Sequence, residues 1–276
     1  EQKLSENVSA SLSTEYMYTT GKYKFTYAVA GGYDTTAVRR NGDVNALRTE
    51  GGLYGKIKGG YWRTKAYFYN SERGYPGAVV RNRFSHEDRQ WDTNFFLQSS
   101  FKKDFGEAYS LLLKTKYAYD YLHYLADPRK EEATMYVNNT YRQQEVYLSM
   151  ANRVTVLPFW DINLSVDYQW NKLNANLTDF PYPRRNTTLV AAATSLHFDR
   201  FKFQASVLGT FVHENVASDT TSAGNKMEFT PTAIASYKPF KNIDFNLRAF
   251  YKRIFRMPTL NDLYYTFIGN IKLITE

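Results

Sequence analysis

From Asp161 to Asn171 the chain alternates without a break. Ile162, Leu164, Val166, Tyr168 and Trp170 take one set of positions, and Asp161, Asn163, Ser165, Asp167, Gln169 and Asn171 take the other. A period of two over this length has no helical counterpart and predicts a strand with one apolar and one polar face. The length also suits a tilted strand crossing a bilayer, ~9–11 residues. Tyr109, Leu111, Leu113, Thr115, Tyr117, Tyr119 and Tyr121 repeat the pattern opposite Ser110, Lys114, Lys116 and Asp120. Phe201, Phe203, Ala205, Val207, Gly209 and Phe211 do so again, as do Ile243, Phe245, Leu247, Ala249 and Tyr251 opposite Asn242, Asp244, Asn246 and Arg248. Tyr23, Phe25, Tyr27 and Val29 oppose Lys22, Lys24 and Thr26. Weaker alternation runs through Val8 to Tyr18, Trp62 to Phe68, Trp91 to Leu97, Val146 to Met150 and Thr230 to Ser236.

The connections alternate in length. Tight ones are expected near Gly21, Gly59-Gly60, Asp104 to Gly106, Leu157-Pro158, Asp199-Arg200 and Pro239 to Asn242. Between them lie long polar segments, Asp34 to Asn45, Glu72 to Arg89, Ala126 to Val137, Asn174 to Asn186 and Ala217 to Lys226. Tight turns at one rim and long loops at the other belong to outer-membrane barrels, whose long loops are extracellular. The expected fold class is therefore all-β, a transmembrane antiparallel β-barrel with about twelve strands before Arg256 and almost no helix.

Composition supports this. The chain has 24 Tyr and 19 Phe, yet its mean hydropathy is −0.53 and 22% of its residues are charged. Such an aromatic load excludes disorder, and no run approaches the ~18–20 apolar residues of a spanning helix. A formal charge of +8 and a pI near 9.3 would suit a nucleic-acid binder. Lys and Arg are spread out, however, apart from pairs such as Arg39-Arg40 and Arg184-Arg185, so nucleic acid is not an expected partner. The absence of Cys excludes a disulfide scaffold and a thiolate metal site. Glu1 to Leu12 lacks the basic and apolar regions of a signal peptide, and Thr275-Glu276 falls outside any strand pattern. A fragment is expected, its targeting segment upstream. The competing reading is a soluble carbohydrate-binding β-sandwich. Its strands would run shorter, ~5–6 residues, and Tyr168 and Trp170 near a strand end suit a headgroup girdle better.

Phe255-Arg256-Met257-Pro258-Thr259-Leu260-Asn261-Asp262-Leu263-Tyr264-Tyr265, followed by Gly269-Asn270-Ile271-Lys272-Leu273-Ile274-Thr275-Glu276, resembles the FRAP…LY…GNPNLKPE block of TonB-dependent outer-membrane transporters. The matching positions are Phe255, Arg256, Pro258, Leu263, Tyr264, Gly269, Asn270, Leu273 and Glu276. Ile271-Lys272 replaces the family's Pro-Asn, and Thr275 its later Pro. Ser71 to Asn82, Tyr168 to Asn171 and Pro181 to Asn186 are similar to the vitamin B12 receptor-like branch. The resemblance spans essentially the whole chain. It implies a barrel of about 22 strands around an N-terminal plug, of which residues 1–276 would be a part lacking the plug and the C-terminal strands. It further implies active import of a large, scarce nutrient, energised through TonB. Cobalamin or a related corrinoid leads, and a ferric siderophore is the alternative. Haem stands further back, because no His lies between Phe255 and Glu276. Outer-membrane lipid and lipopolysaccharide are implied partners, and a surface lipoprotein is a further candidate.

No catalytic pattern appears, and the chain does not read as an enzyme. His86, His123, His197 and His213 lack two-ligand spacing, and no GxSxG, P-loop or GxGxxG occurs. His213-Glu214, at the loop end of a strand, reads as a solvated pair. Asp161 and Asp167 are expected to point into the lumen and pair with Lys or Arg. In the loops, Arg73, Tyr75, Arg81 and Arg83, with Tyr182, Arg184 and Arg185, combine stacking surfaces with bidentate donors. Arg73, Tyr75, Arg81, Tyr182 and Arg184 are the candidate ligand residues for a phosphate- or carboxylate-bearing nutrient. The competing reading has them capping the rim or meeting acidic groups of surface lipid. Asp34, Asn41 and Asp43 offer oxygens for calcium but lack the spacing of a dedicated site, so no cofactor is expected.

Overall fold

The computed structural model describes residues 2–28, 32, 34–77, 88–126, 136–217 and 222–265. In chain order the strands are β1 (Gln2–Lys3), β2 (Val8–Thr19), β3 (Tyr23–Ala28), β4 (Asp34–Arg39), β5 (Val44–Ile57), β6 (Gly60–Tyr75) and β7 (Asp88–Phe105). There follow β8 (Tyr109–Ala126), β9 (Val137–Leu157), β10 (Trp160–Ala175), β11 (Arg184–His197), β12 (Phe201–Asn215), β13 (Lys226–Tyr237) and β14 (Leu247–Lys252). One short helix, α1 (Leu260–Tyr264), completes the described residues.

Twelve strands form one antiparallel sheet in the order β1-β2-β5-β6-β7-β8-β9-β10-β11-β12-β13-β14. The register carries the two faces in phase from strand to strand. Val166 pairs with Met150 and Val190, while Asp167 pairs with Ser149 and Leu189. A slip of one residue would exchange the faces of a whole strand. The apolar face stays uncovered, with Leu164 52% and Val166 43% exposed. A soluble sandwich would bury that face under a second sheet, so the carbohydrate-binding reading fails on this geometry. Lipid is the medium in which this face is stable.

The polar face carries ion pairs between neighbouring strands. Lys65 meets Glu50 at 2.8 Å, Lys116 meets Glu145 at 3.0 Å, and Arg153 meets Asp161 at 2.9 Å. Asp167 takes the Tyr147 hydroxyl at 3.1 Å rather than a cation.

The turn asymmetry holds. Tight connections follow β5, β7, β9 and β11, and Gly59 shows why one of them needs glycine. Its φ is +69°, and a Cβ there would stand 3.0 Å from the Asp104 carbonyl. The expectation at Gly21 is corrected. It joins no sheet neighbours, because β2 pairs directly with β5, Thr14 opposite Thr49. The described residues between β2 and β5 form an excursion at the long-loop rim, with β3 and β4 a separate hairpin within it. Gly21 and Gly42 cross at its base, where a Cβ on Gly21 would lie 1.9 Å from the Gly42 carbonyl oxygen. Asp34 to Arg39, expected as loop, is thus strand, and Val29 lies outside the described residues. Alternation identified β3 as a strand but carried no information about its partner. Ile243 and Phe245 also alternate, yet the strand begins only at Leu247, so the connection expected to be tight at Pro239 to Asn242 runs instead over residues 238–246.

Candidate functional site

At the long-loop rim the polar face gathers charged and aromatic side chains. Arg73 and Tyr75 project from the end of β6 on this face, opposite Gln90 and Asp88 of β7. The Arg73 guanidinium lies 3.2 Å from the Asp92 carboxylate and donates to the Tyr69 hydroxyl at 3.2 Å and the Ser71 hydroxyl at 3.3 Å. Gln90 donates to both oxygens of Asp92, at 2.8 and 2.9 Å. Arg73 is therefore held rigidly in the wall. Tyr75 donates to Gln90 at 3.0 Å, and its ring meets that of Tyr124 edge-on at 6.3 Å. Tyr124 in turn donates to Asp88 at 2.9 Å.

The same face turns apolar further round the rim. Tyr141, Leu173 and the partly buried Leu122 occupy its end on β9, β10 and β8, and with Phe180 they seat α1 through Leu260, Leu263 and Tyr264. Tyr265 stacks on Tyr141 at 4.3 Å between ring centroids. Burial, reinforced by the neighbouring Tyr141, pushes the Tyr265 phenol up to about 12. Thr259 caps the helix. Its hydroxyl accepts from the Asp262 amide at 3.2 Å, and the Asp262 carboxylate accepts from the Thr259 amide at 2.8 Å. These bonds, the Thr259 side chain first, hold the Asp262 carboxyl below its ordinary range.

Two buried charges fix this segment to the wall. Arg185 Nε donates to Glu214 at 2.7 Å, and another guanidinium nitrogen donates to the Pro258 carbonyl at 2.7 Å. The Tyr264 hydroxyl donates to the other Glu214 oxygen, which also accepts from the Ala223 amide at 3.3 Å. Burial, then the Glu214 carboxylate, pushes the Tyr264 phenol upward. The Glu214 side chain has 0% exposure and that of Arg185 only 7%. Such a pair holds only when its remaining lone pairs and protons are satisfied, and here the returning chain does much of that.

The family model for the β-barrel of TonB-dependent receptor-like proteins matches residues 4–274. The chain belongs to the TonB-dependent receptors. It is therefore an outer-membrane β-barrel protein of a receptor family, and its segment from Pro258 to Tyr265 packs against the inner face of the wall. A copper transporter, OprC, shares the fold at a TM-score of 0.63 and 10% identity, over 100% of this chain and 51% of that one. The receptor thus spans about half the length of that neighbour. The translocator domain of the autotransporter NalP from Neisseria meningitidis aligns at a TM-score of 0.36 and 11% identity, over 90% and 82% of the two chains, too weakly to bear on the fold. A search of the curated proteins found no match.

The receptor's sequence-predicted ligand residues fall in different places. Arg73 and Tyr75 share the inner face. Tyr182 sits exposed in the β10–β11 connection with φ +49°. Its ring meets buried Phe180 edge-on at 5.4 Å. Arg81 and Arg83 lie outside the described residues, as do Gly269, Asn270, Leu273 and Glu276. Arg184 does not join the others. It pairs with Lys172 on the outer face, while its neighbour Arg185 points inward. The solvated reading of His213-Glu214 is corrected in the same way, because alternation separates an exposed His213 from a buried Glu214. No sequence signal marked Arg185 or Glu214 as anchors; the strand's parity would have assigned their face once its register was known. The calcium oxygens are not assembled either. Arg89 donates to Asn41 at 3.1 Å and to the two Asp43 oxygens at 3.2 and 2.8 Å, so a guanidinium stands where a cation would. The Arg89 hydrogen bond keeps the Asp43 carboxyl below its usual range.

Proposed function

We propose that this barrel serves an active transporter that takes up a large, scarce nutrient across the outer membrane with energy delivered through TonB. Cobalamin or a related corrinoid is the proposed cargo. The observation that carries the transporter reading is the inward-folded Phe255 to Tyr265 segment. It seats Leu260, Leu263, Tyr264 and Tyr265 against Tyr141 and Leu173 on the inner face at the long-loop rim. A barrel of the family's size is too wide for side chains to fill. The whole protein is therefore taken to supply a plug and further strands beyond residues 1–276. Lipopolysaccharide outside, the nutrient at the mouth, TonB below and a lipoprotein over the loops are the partners this reading calls for.

The corrinoid assignment rests on the similarity of Ser71 to Asn82 and Pro181 to Asn186 to the vitamin B12 receptor-like branch, and on Tyr75 and Tyr182 as stacking surfaces at the rim. The copper of the OprC name is not carried over, since 10% identity speaks for fold alone. Equilibrium binding of cobalamin to the full-length protein tests the assignment. Tyr75→Ala, Tyr182→Ala and Arg81→Ala are each expected to weaken binding, the last by about tenfold, the worth of one charged hydrogen bond. Barrel levels in the membrane should be unchanged. A wild-type protein that ignores cobalamin and binds a ferric siderophore would move the cargo to that class.

A further inference from the structure

Charge is distributed unevenly between the two faces of β8 to β12. Every carboxylate on these strands points inward: Asp120, Glu145, Asp161, Asp167 and Glu214. The outward positions hold no carboxylate among the described residues, but they do hold three permanent cations, Arg142, Lys172 and Arg184. These three are neighbours. Lys172 lies directly opposite Arg184 in the β10–β11 register, and Arg142 is opposite Asn174, one outward position beyond Lys172. Directly opposed side chains stand ~4.5–5.5 Å apart at Cβ and diagonal ones ~7–8 Å. One doubly charged group can therefore reach all three.

Their height on the wall identifies what they meet. Tyr168 and Trp170 are the next outward positions below Lys172 on β10, and Tyr168 donates to Asn186 at 2.7 Å. The Arg142 guanidinium lies over the Tyr121 ring at 5.8 Å, and Trp91 stacks on His123 at 4.7 Å further round. Tyr and Trp rings collect at headgroup level. Below them the outward positions are Val166, Leu164, Leu148 and Met150, all exposed. Lys172 stands one outward step above Trp170 and Arg142 directly opposite Tyr121, at the level of an aromatic girdle that tops an apolar wall. That is the level of the phosphates of the outer leaflet.

By contrast, Arg89, an outward cation of β7 at this rim, is neutralised by Asp43 at 2.8 Å and Glu72 at 2.7 Å. We infer that Arg142, Lys172 and Arg184 form a binding site on the lipid-facing side of the rim for the phosphorylated headgroup of an outer-leaflet lipid. The girdle holds the sugar or glycerol end of that lipid, and its acyl chains lie on the apolar wall. Arg contributes a planar fork suited to phosphate and Lys a point charge.

The full-length protein in a neutral detergent, incubated with bisphosphorylated lipid A or its fully dephosphorylated form, reads this directly by native mass spectrometry. The bisphosphate is expected to bind at least about tenfold more tightly than the dephosphorylated lipid. Arg142→Gln/Lys172→Gln/Arg184→Gln should abolish that preference. Lys114→Gln/Lys202→Gln, which removes cations from the inner face, should leave it intact. If the triple variant does not insert, Arg184→Gln alone, an exposed position, should lose about tenfold. An unchanged preference in the outer-face variants, or an equal loss in the inner-face control, would overturn the site. Inorganic phosphate displacing the lipid at equal concentration would overturn the lipid as its occupant.

Discussion

At Glu214 a fully buried carboxylate accepts hydrogen bonds from Arg185, Tyr264 and the Ala223 amide, so three separate stretches of chain depend on one side chain. Glu214→Ala would strand the Arg185 guanidinium without its partner, which typically costs about 3–5 kcal/mol. The expected outcome is release of the Phe255 to Tyr265 segment, read as trypsin cleavage after Arg256 in intact cells where the wild type resists. The cap of α1 responds to pH. The Asp262 carboxyl is depressed by Thr259, so its contribution is fully present above the ordinary carboxylate range and disappears as pH falls through the depressed value. Hydrogen exchange at the Asp262 amide should therefore stay protected through neutral and mildly acidic pH and open only in strong acid. Asp262→Asn should remove most of this dependence. The sequence drew attention to the segment but not to its anchors. Arg184 and Arg185 are chemically alike as text, and only the parity of β11 sends one to lipid and the other to Glu214.

At the scale of one strand, β10 was legible almost in full, since Asp161 to Asn171 alternates strictly and the observed strand extends it only to Trp160–Ala175. Its two faces give a sharp contrast. Val166→Arg places a charge toward the bilayer interior and is expected to cost roughly 2–4 kcal/mol. Asn163→Arg points into the lumen and should cost much less. The fraction of heat-modifiable barrel in the membrane measures both. Pairing partners were less legible than strands. Tyr23, Phe25 and Tyr27 alternate as well as a wall strand does, yet they belong to a rim hairpin, because strand pattern is a local property and partner choice is not. Glu72 to Arg89 read as loop from its polarity, although β6 carries Arg73 and Tyr75 out to the rim. Above the membrane a strand no longer needs an apolar face, so alternation fades before the hydrogen bonding does.

At the scale of the molecule, β1 and β14 are the ends of the twelve-stranded order and do not pair with each other. Unpaired edges recruit further strands, so residues 1–276 expressed alone should aggregate in plain buffer rather than run as a monodisperse species by light scattering. One continuous sheet separates lipid from a polar lumen, residue by residue. Because the chain contains no Cys, single cysteines from Ile162 to Trp170 can be spin-labelled in the full-length protein in bilayers. Collision rates with oxygen and with a water-soluble nickel chelate then report each position. Two patterns of period two in opposite phase are expected, oxygen highest at Ile162, Leu164, Val166 and Tyr168, the chelate highest at Asn163, Ser165, Asp167 and Gln169. Uniform accessibility along the strand, or the reverse phase, would contradict it.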